Sequence, residues 1–158
     1  MRDVTQRRRS AFTLVEILIV VIILGILATV IIGLFANTSA DASANALKDN
    51  LRAIRSSLQI YIAQHGTYPA LATFESQMTQ YSDSSGATSS THDATHIYGP
   101  YIMGLPNLPV GTNRGLATVT GMTYTAGYGW GYDPTTGAFK ANLPDTDVDS
   151  DGKPFNTY

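Results

Sequence analysis

Three constellations in this 158-residue chain carry side chains able to do chemistry. Asp147, Asp149 and Asp151 stand at alternate positions and Gly152 follows them. Hard carboxylate oxygens at positions one, three and five, with a glycine to turn the chain, match the opening of a calcium loop. Position twelve, where such a loop places a bidentate Glu, is Tyr158, and the competing reading is a solvated acidic tail. His92 and His96 have a four-residue spacing that holds a metal on a helix, but their Ser/Thr-rich surroundings do not favour one, so they read as ordinary loop histidines. The third constellation is a single carboxylate, Glu16, inside an apolar run. An ionised side chain costs about 2.5–3.5 kcal/mol at the centre of a membrane helix, so such a group is either functional or shallow enough to snorkel. Nothing points to an enzyme. The Gly127-Tyr-Gly-Trp-Gly131 run lacks the spacing and the following helix of a dinucleotide fingerprint, and there is no nucleophile elbow or supported histidine pair. With no cysteine, neither a disulfide framework nor a thiolate site is available.

Glu16 is positioned by what surrounds it. From Phe12 to Ala36, 20 of 25 residues are apolar, and Ile17 to Ala36 contains no charge. Twenty residues at about 1.5 Å each span about 30 Å, the thickness of a bilayer core. Arg2, Arg7, Arg8 and Arg9 precede the run against a single Asp3, which keeps the N-terminus cytoplasmic and puts the rest of the chain outside. The run is too long for a cleaved secretory signal, and Asn37-Thr38-Ser39-Ala40 is a poor cleavage site.

Beyond Asp41 the pattern becomes helical and amphipathic. Ala44, Leu47, Leu51, Ile54, Leu58 and Tyr61 form one stripe, with Lys48, Asp49, Arg52, Arg55 and Gln59 on the other face. Gly66 is a C-cap and Pro69 forbids continuation. No proline interrupts residues 12 to 65, so one helix of about 80 Å is expected. Its stripe covers a sheet, a coiled-coil seam being the competing reading. Leu71 to Tyr81 predicts a short helix, and Ser82 to Thr95 a surface loop. From Ile97 onward, glycines and aromatics dominate and indicate short strands and tight turns. The clearest is a hairpin of Tyr128–Tyr132 and Ala138–Ala141 around Asp133-Pro-Thr-Thr-Gly137. The fold class expected is α+β, a long N-terminal helix against a small antiparallel sheet.

Arg8-Arg9-Ser10-Ala11-Phe12-Thr13-Leu14-Val15-Glu16, followed by the apolar run, resembles the leader of type IV prepilins and type II secretion pseudopilins. The Tyr61–Pro69 segment, Gly99-Pro100-Tyr101, Pro106-Asn107-Leu108-Pro109 and Gly129–Gly137 are similar to the body of major pseudopilins. The resemblance implies that a prepilin peptidase cuts between Ala11 and Phe12 and methylates the new amine of Phe12. Ala11 departs from the glycine usual before the cut. It implies also that Glu16, fifth in the processed chain, pairs in the filament with the Phe12 amine of a neighbour, and that a C-terminal loop binds calcium.

The domain organisation expected is a leader 1–11, a membrane and filament-core helix 12–36, its amphipathic continuation 37–66, and a pilin-like head 67–158 with the loop 82–95 and an acidic loop 145–152. Removing four arginines and Asp3 from ten basic and twelve acidic residues leaves six against eleven, a formal −5 that disfavours nucleic acid. The resemblance makes the leading function a structural subunit, the major pseudopilin of a type II secretion system in the bacterial inner membrane, single-pass with its head in the periplasm or outside, and then part of an extracytoplasmic filament. Its implied partners are further copies in a helical filament, the prepilin peptidase, an assembly platform and ATPase, minor pseudopilins, and lipid before assembly. The alternatives are a type IV pilin and a membrane-tethered binding module that never polymerises.

Overall fold

The computed structural model describes residues 12–158, the side chains of 32–37 excepted. Helix α1 runs from Leu14 to His65 without a break, and the chain divides after Thr38 into two units. In the first unit the segment Leu14–Ile31 is apolar on every side, its large side chains half to nearly fully exposed, and it is long enough to cross a membrane. A helix that is hydrophobic all round has no preferred core face and suits lipid or a bundle of like helices.

In the second unit, Ser39 to Tyr158, α1 is an ordinary amphipathic helix. Leu47, Leu51, Ile54, Leu58 and Tyr61 are all but inaccessible to solvent. Each such burial contributes about 1.5–3 kcal/mol. The stripe is thus spent on the body's own core, which leaves no seam for a coiled coil. The helix ends where Gly66, at φ 74°, donates its amide to the Ile62 carbonyl.

After a 3₁₀ turn at Leu71–Thr73 comes α2, Phe74–Thr79, then β1 (Tyr81–Ser82), β2 (Thr88–Ser89), β3 (Val119–Thr120), β4 (Trp130–Tyr132), β5 (Phe139–Ala141) and a final 3₁₀ turn, Phe155–Thr157. β1 and β2 form an antiparallel pair; β3, β4 and β5 form a three-stranded sheet in that order. Three expectations change in detail. The short helix over 71–81 splits, because Gln80 turns extended and Tyr81 enters β1; only Phe74 and Met78 of its apolar side are buried. The loop 82–95 contains β2, since Asp83 folds the chain back by accepting the amides of Ser85 and Ala87 on one carboxylate oxygen. The main sheet is mixed, because β3 runs parallel to β4. The hairpin forms as expected, with Trp130 opposite Ala141 and Tyr132 opposite Phe139.

The core closes around aromatic rings. Phe74 lies 4.4 Å from Tyr132 and 5.7 Å from Phe139, and Trp130 lies 5.3 Å from Phe139, between centroids. Their polar ends are satisfied: Trp130 Nε1 donates to the Pro106 carbonyl at 2.9 Å and the Tyr132 hydroxyl to that of Pro69 at 2.8 Å. The buried amides of Asn113 and Asn142 bind the irregular chain between β3 and β4, through Tyr128 and Thr125, to the end of β5.

Candidate functional site

The start of α1 is built by four residues. Thr13 stands just before the helix, and its Oγ1 accepts the Glu16 amide at 3.2 Å. Glu16 returns the contact, its Oε2 accepting the Thr13 amide at 2.9 Å and the Thr13 hydroxyl at 3.0 Å. This is a reciprocal capping box, which satisfies two backbone donors that a helix otherwise leaves open. The signal for it is local and present in the sequence, Thr-Leu-Val-Glu before an apolar run, a Thr three residues before a Glu. Only one carboxylate oxygen is used. Glu16 Oε1 has no partner among the described residues, and Phe12, 78% exposed, stands beside the box in the sequence. The arrangement therefore holds a carboxylate at the head of an apolar helix with one face committed and one face presented. The leader 1–11, with its arginines and Ala11 of the expected cleavage bond, lies outside the described residues.

Two of the three aspartates of the tail, Asp147 and Asp149, have their carboxylates bound to separate partners. Asp147 Oδ2 accepts the amide and hydroxyl of Thr112, at 2.6 and 2.8 Å. Asp149 Oδ1 accepts the amides of Asp151 and Lys153, at 2.9 and 2.8 Å, and its Oδ2 takes the Tyr158 hydroxyl. The Tyr158 bond, with the Lys153 amide, holds the Asp149 carboxyl below the usual range, and the same bond pushes the Tyr158 hydroxyl up to about 12. Lys48 and Lys153 place their ammonium groups 4.9 and 4.1 Å from the centre of the Tyr158 ring. Tyr158, at the position where a calcium loop has its twelfth ligand, thus serves Asp149 instead. Among the described residues no three carboxylate or imidazole groups converge on one point.

His92 and His96 are apart in role. His96 Nδ1 contacts the Asp93 carboxylate at 2.9 Å, while the His92 ring packs edge-on against Tyr81 at 5.3 Å. A third histidine, His65, joins the helix end to the loops. Its Nε2 lies 2.9 Å from the Tyr101 hydroxyl and 3.2 Å from Ser82 Oγ, and its ring stacks on Tyr61 at 4.1 Å.

The comparisons with known proteins agree with the position of the first site. Residues 6–32 match the prokaryotic N-terminal methylation motif. The chain is 35% identical over 65 residues to the type II secretion system core protein G of Pseudomonas aeruginosa, a stretch covering 41% of this chain and 46% of that protein. The chain thus spans less than half the length of that curated relative. No solved structure matches it. The motif surrounds the capped carboxylate, and a long helix laid on a small sheet makes up the rest, a combination similar to that of type IV pilin-like proteins.

Proposed function

We propose that the chain is the subunit of a helical filament, specifically the major pseudopilin of a type II secretion system. The observation that carries the reading is the capped Glu16 at the head of the exposed apolar segment Leu14–Ile31, inside the methylation motif. In this reading the helix is held in the inner membrane with the body in the periplasm. A prepilin peptidase cuts between Ala11 and Phe12 and methylates the Phe12 amine. Cleavage leaves a positive amine four residues from the carboxylate. In the filament Glu16 Oε1 receives the amine of a neighbouring Phe12, and the apolar helices exchange lipid for one another. Two charges brought together in that setting offset one another's desolvation, whereas removing one partner of such a buried pair costs about 3–5 kcal/mol. The assembly platform, its ATPase and minor pseudopilins then act on the processed subunit, and the growing filament drives folded proteins outward.

Mass determination of the N-terminus from the native host tests the processing step, with a methylated Phe12 expected. Deletion of the gene separates the filament readings. Loss of protein export with surface fibres unaffected supports the pseudopilin; loss of surface fibres with export intact makes the chain a type IV pilin. An unprocessed N-terminus with both functions intact makes it a tether.

A further inference from the structure

The charges of the body are segregated. No Lys or Arg occurs between Arg55 and Arg114, a stretch that carries Glu75, Asp83 and Asp93. Most of the cations gather instead on one flank of α1, on β5 and in the tail. Lys48 and Lys153 are spent on the Tyr158 ring, Arg52 on Asp49 at 3.0 Å, and Arg55 on the carbonyls of Phe139 and Tyr158. Of the six Lys and Arg among the described residues, Lys140 and Arg114 alone have no hydrogen bond, ion pair or ring contact there.

Lys140 stands in the wall of an open groove of about 600 Å³, with Arg55, Gln59, Met122, Thr136 and Asn156 among its other lining residues and no Asp or Glu. A second recess of about 310 Å³ shares Lys140 and Asn156 and adds the half-exposed Tyr124. Arg114 lines neither. The groove therefore offers an uncommitted ammonium, a second cation and apolar rim area, on a protein whose net charge is negative.

A matching anion lies elsewhere on the same body. Asp83 and Asp93 have their carboxylates bound into turns, to Ser85 and Ala87 and to Thr95 and His96. Glu75 is exposed and its carboxylate has no partner among the described residues; it borders a polar recess of about 330 Å³ lined by Thr73, Ser76, Thr79 and Gln80, with no cation. The two groups cannot meet within one copy. Phe139 and Ala141 face the core, so Lys140 between them faces away from it, whereas α2 covers the core side through Phe74 on Phe139.

We propose that the Lys140 groove seats a second copy of this chain, Lys140 of one copy pairing with Glu75 of the next. Two different patches that complement one another make a head-to-tail contact, which repeats into an open helical array. The inference rests on the filament reading above and adds to it which faces of the bodies meet.

The test uses the full chain in its native host. Lys140→Glu and Glu75→Lys are each expected to lower filament yield about tenfold by placing like charges across the contact, and the double exchange to restore it. Arg114→Glu is expected to leave the yield unchanged, and melting temperatures of all four variants to stay at the parent's value. Because the chain has no cysteine, Lys140→Cys combined with Glu75→Cys gives an unambiguous second readout. A short bismaleimide should join copies into a ladder of oligomers, whereas either cysteine alone should give none. Normal filaments from both single charge variants, no recovery in the exchanged one, or filaments without a ladder would overturn the contact while leaving the filament reading standing. Absence of both filaments and ladder from the parent background would overturn the two together.

Discussion

Removing the hydroxyl of Tyr132 should weaken the body by an amount the structure fixes closely. Tyr132 is fully buried in β4, its ring against Phe74, and its hydroxyl donates to the Pro69 carbonyl at 2.8 Å. That bond ties the chain leaving α1 to the centre of the sheet. In Tyr132→Phe the ring contacts remain and only one oxygen is lost, so there is little cavity to add. The cost is that of orphaning a buried carbonyl, about 1–3 kcal/mol. For a body of this size each kcal/mol lowers the melting temperature by about 4 °C, which gives about 4–12 °C in all. The single tryptophan, Trp130, is buried among the same rings and reports the transition by fluorescence. Tyr128→Phe is the matched control, since Tyr128 is 38% exposed and its hydroxyl has no partner among the described residues; it should stay within about 0.5 kcal/mol. Equal melting of Tyr132→Phe and the parent, or an equal loss in Tyr128→Phe, would refute the argument.

Glu16→Gln separates the two duties of that residue, because glutamine still closes a capping box but carries no charge. It should be inserted and cleaved normally yet form no filaments; filaments at the parent's level would show that the charge is unnecessary. Acid should loosen the tail first. The folded-state carboxyl of Asp149 is lowered from its ordinary 3.8, so its contribution is present above that value and lost as pH falls through the lower folded one. Proteolysis of the tail should accelerate in that window in the parent and lose that pH dependence in Asp149→Asn. Alkali acts through the same bond with the opposite sign. Tyr158 is raised to about 12, so the attachment is intact below the ordinary 10.0 and lost as pH passes the raised value, which tyrosinate absorbance compared with Tyr158→Phe will show. Calcium titration should give no saturable heat while Asp147 is held by Thr112 and Asp149 by Tyr158 and backbone amides. Saturable heat that Asp149→Asn abolishes would mean the tail rearranges around the ion.

Periodicity made α1 legible because its determinants are local and repeated. Six apolar positions at spacings of three and four fixed both the helix and its buried face, and the glycine and proline after it fixed its end. The hairpin was legible for the same reason: Asp133 accepts the Thr135 amide and the Thr136 hydroxyl within its own turn, and Gly137 takes φ 73° where a Cβ would strike the Tyr68 ring. What the sequence did not disclose depends on distant partners. β3 is two residues long and pairs in parallel with β4, and the chain between them is held by Asn113 and Asn142, whose role needs both segments in place. Likewise the acid spacing of the tail does not disclose that Thr112, 35 residues away, binds Asp147.

Arg55 gives the body a particular way of bearing load. Its guanidinium donates twice to the Phe139 carbonyl, at 3.1 and 2.7 Å, and once to the Tyr158 carbonyl at 2.6 Å, so one side chain of α1 holds both the outer strand of the sheet and the tail. A pull along the helix axis meets this fork and the whole buried stripe from Ala44 to Tyr61 at the same instant, because all of them resist sliding in the same direction. Contacts loaded together share the force, whereas contacts peeled one by one fail in turn. The helix is therefore attached as a bar is set in mortar, strong against traction from its end, and weaker against a sideways lift that would strip the stripe residue by residue.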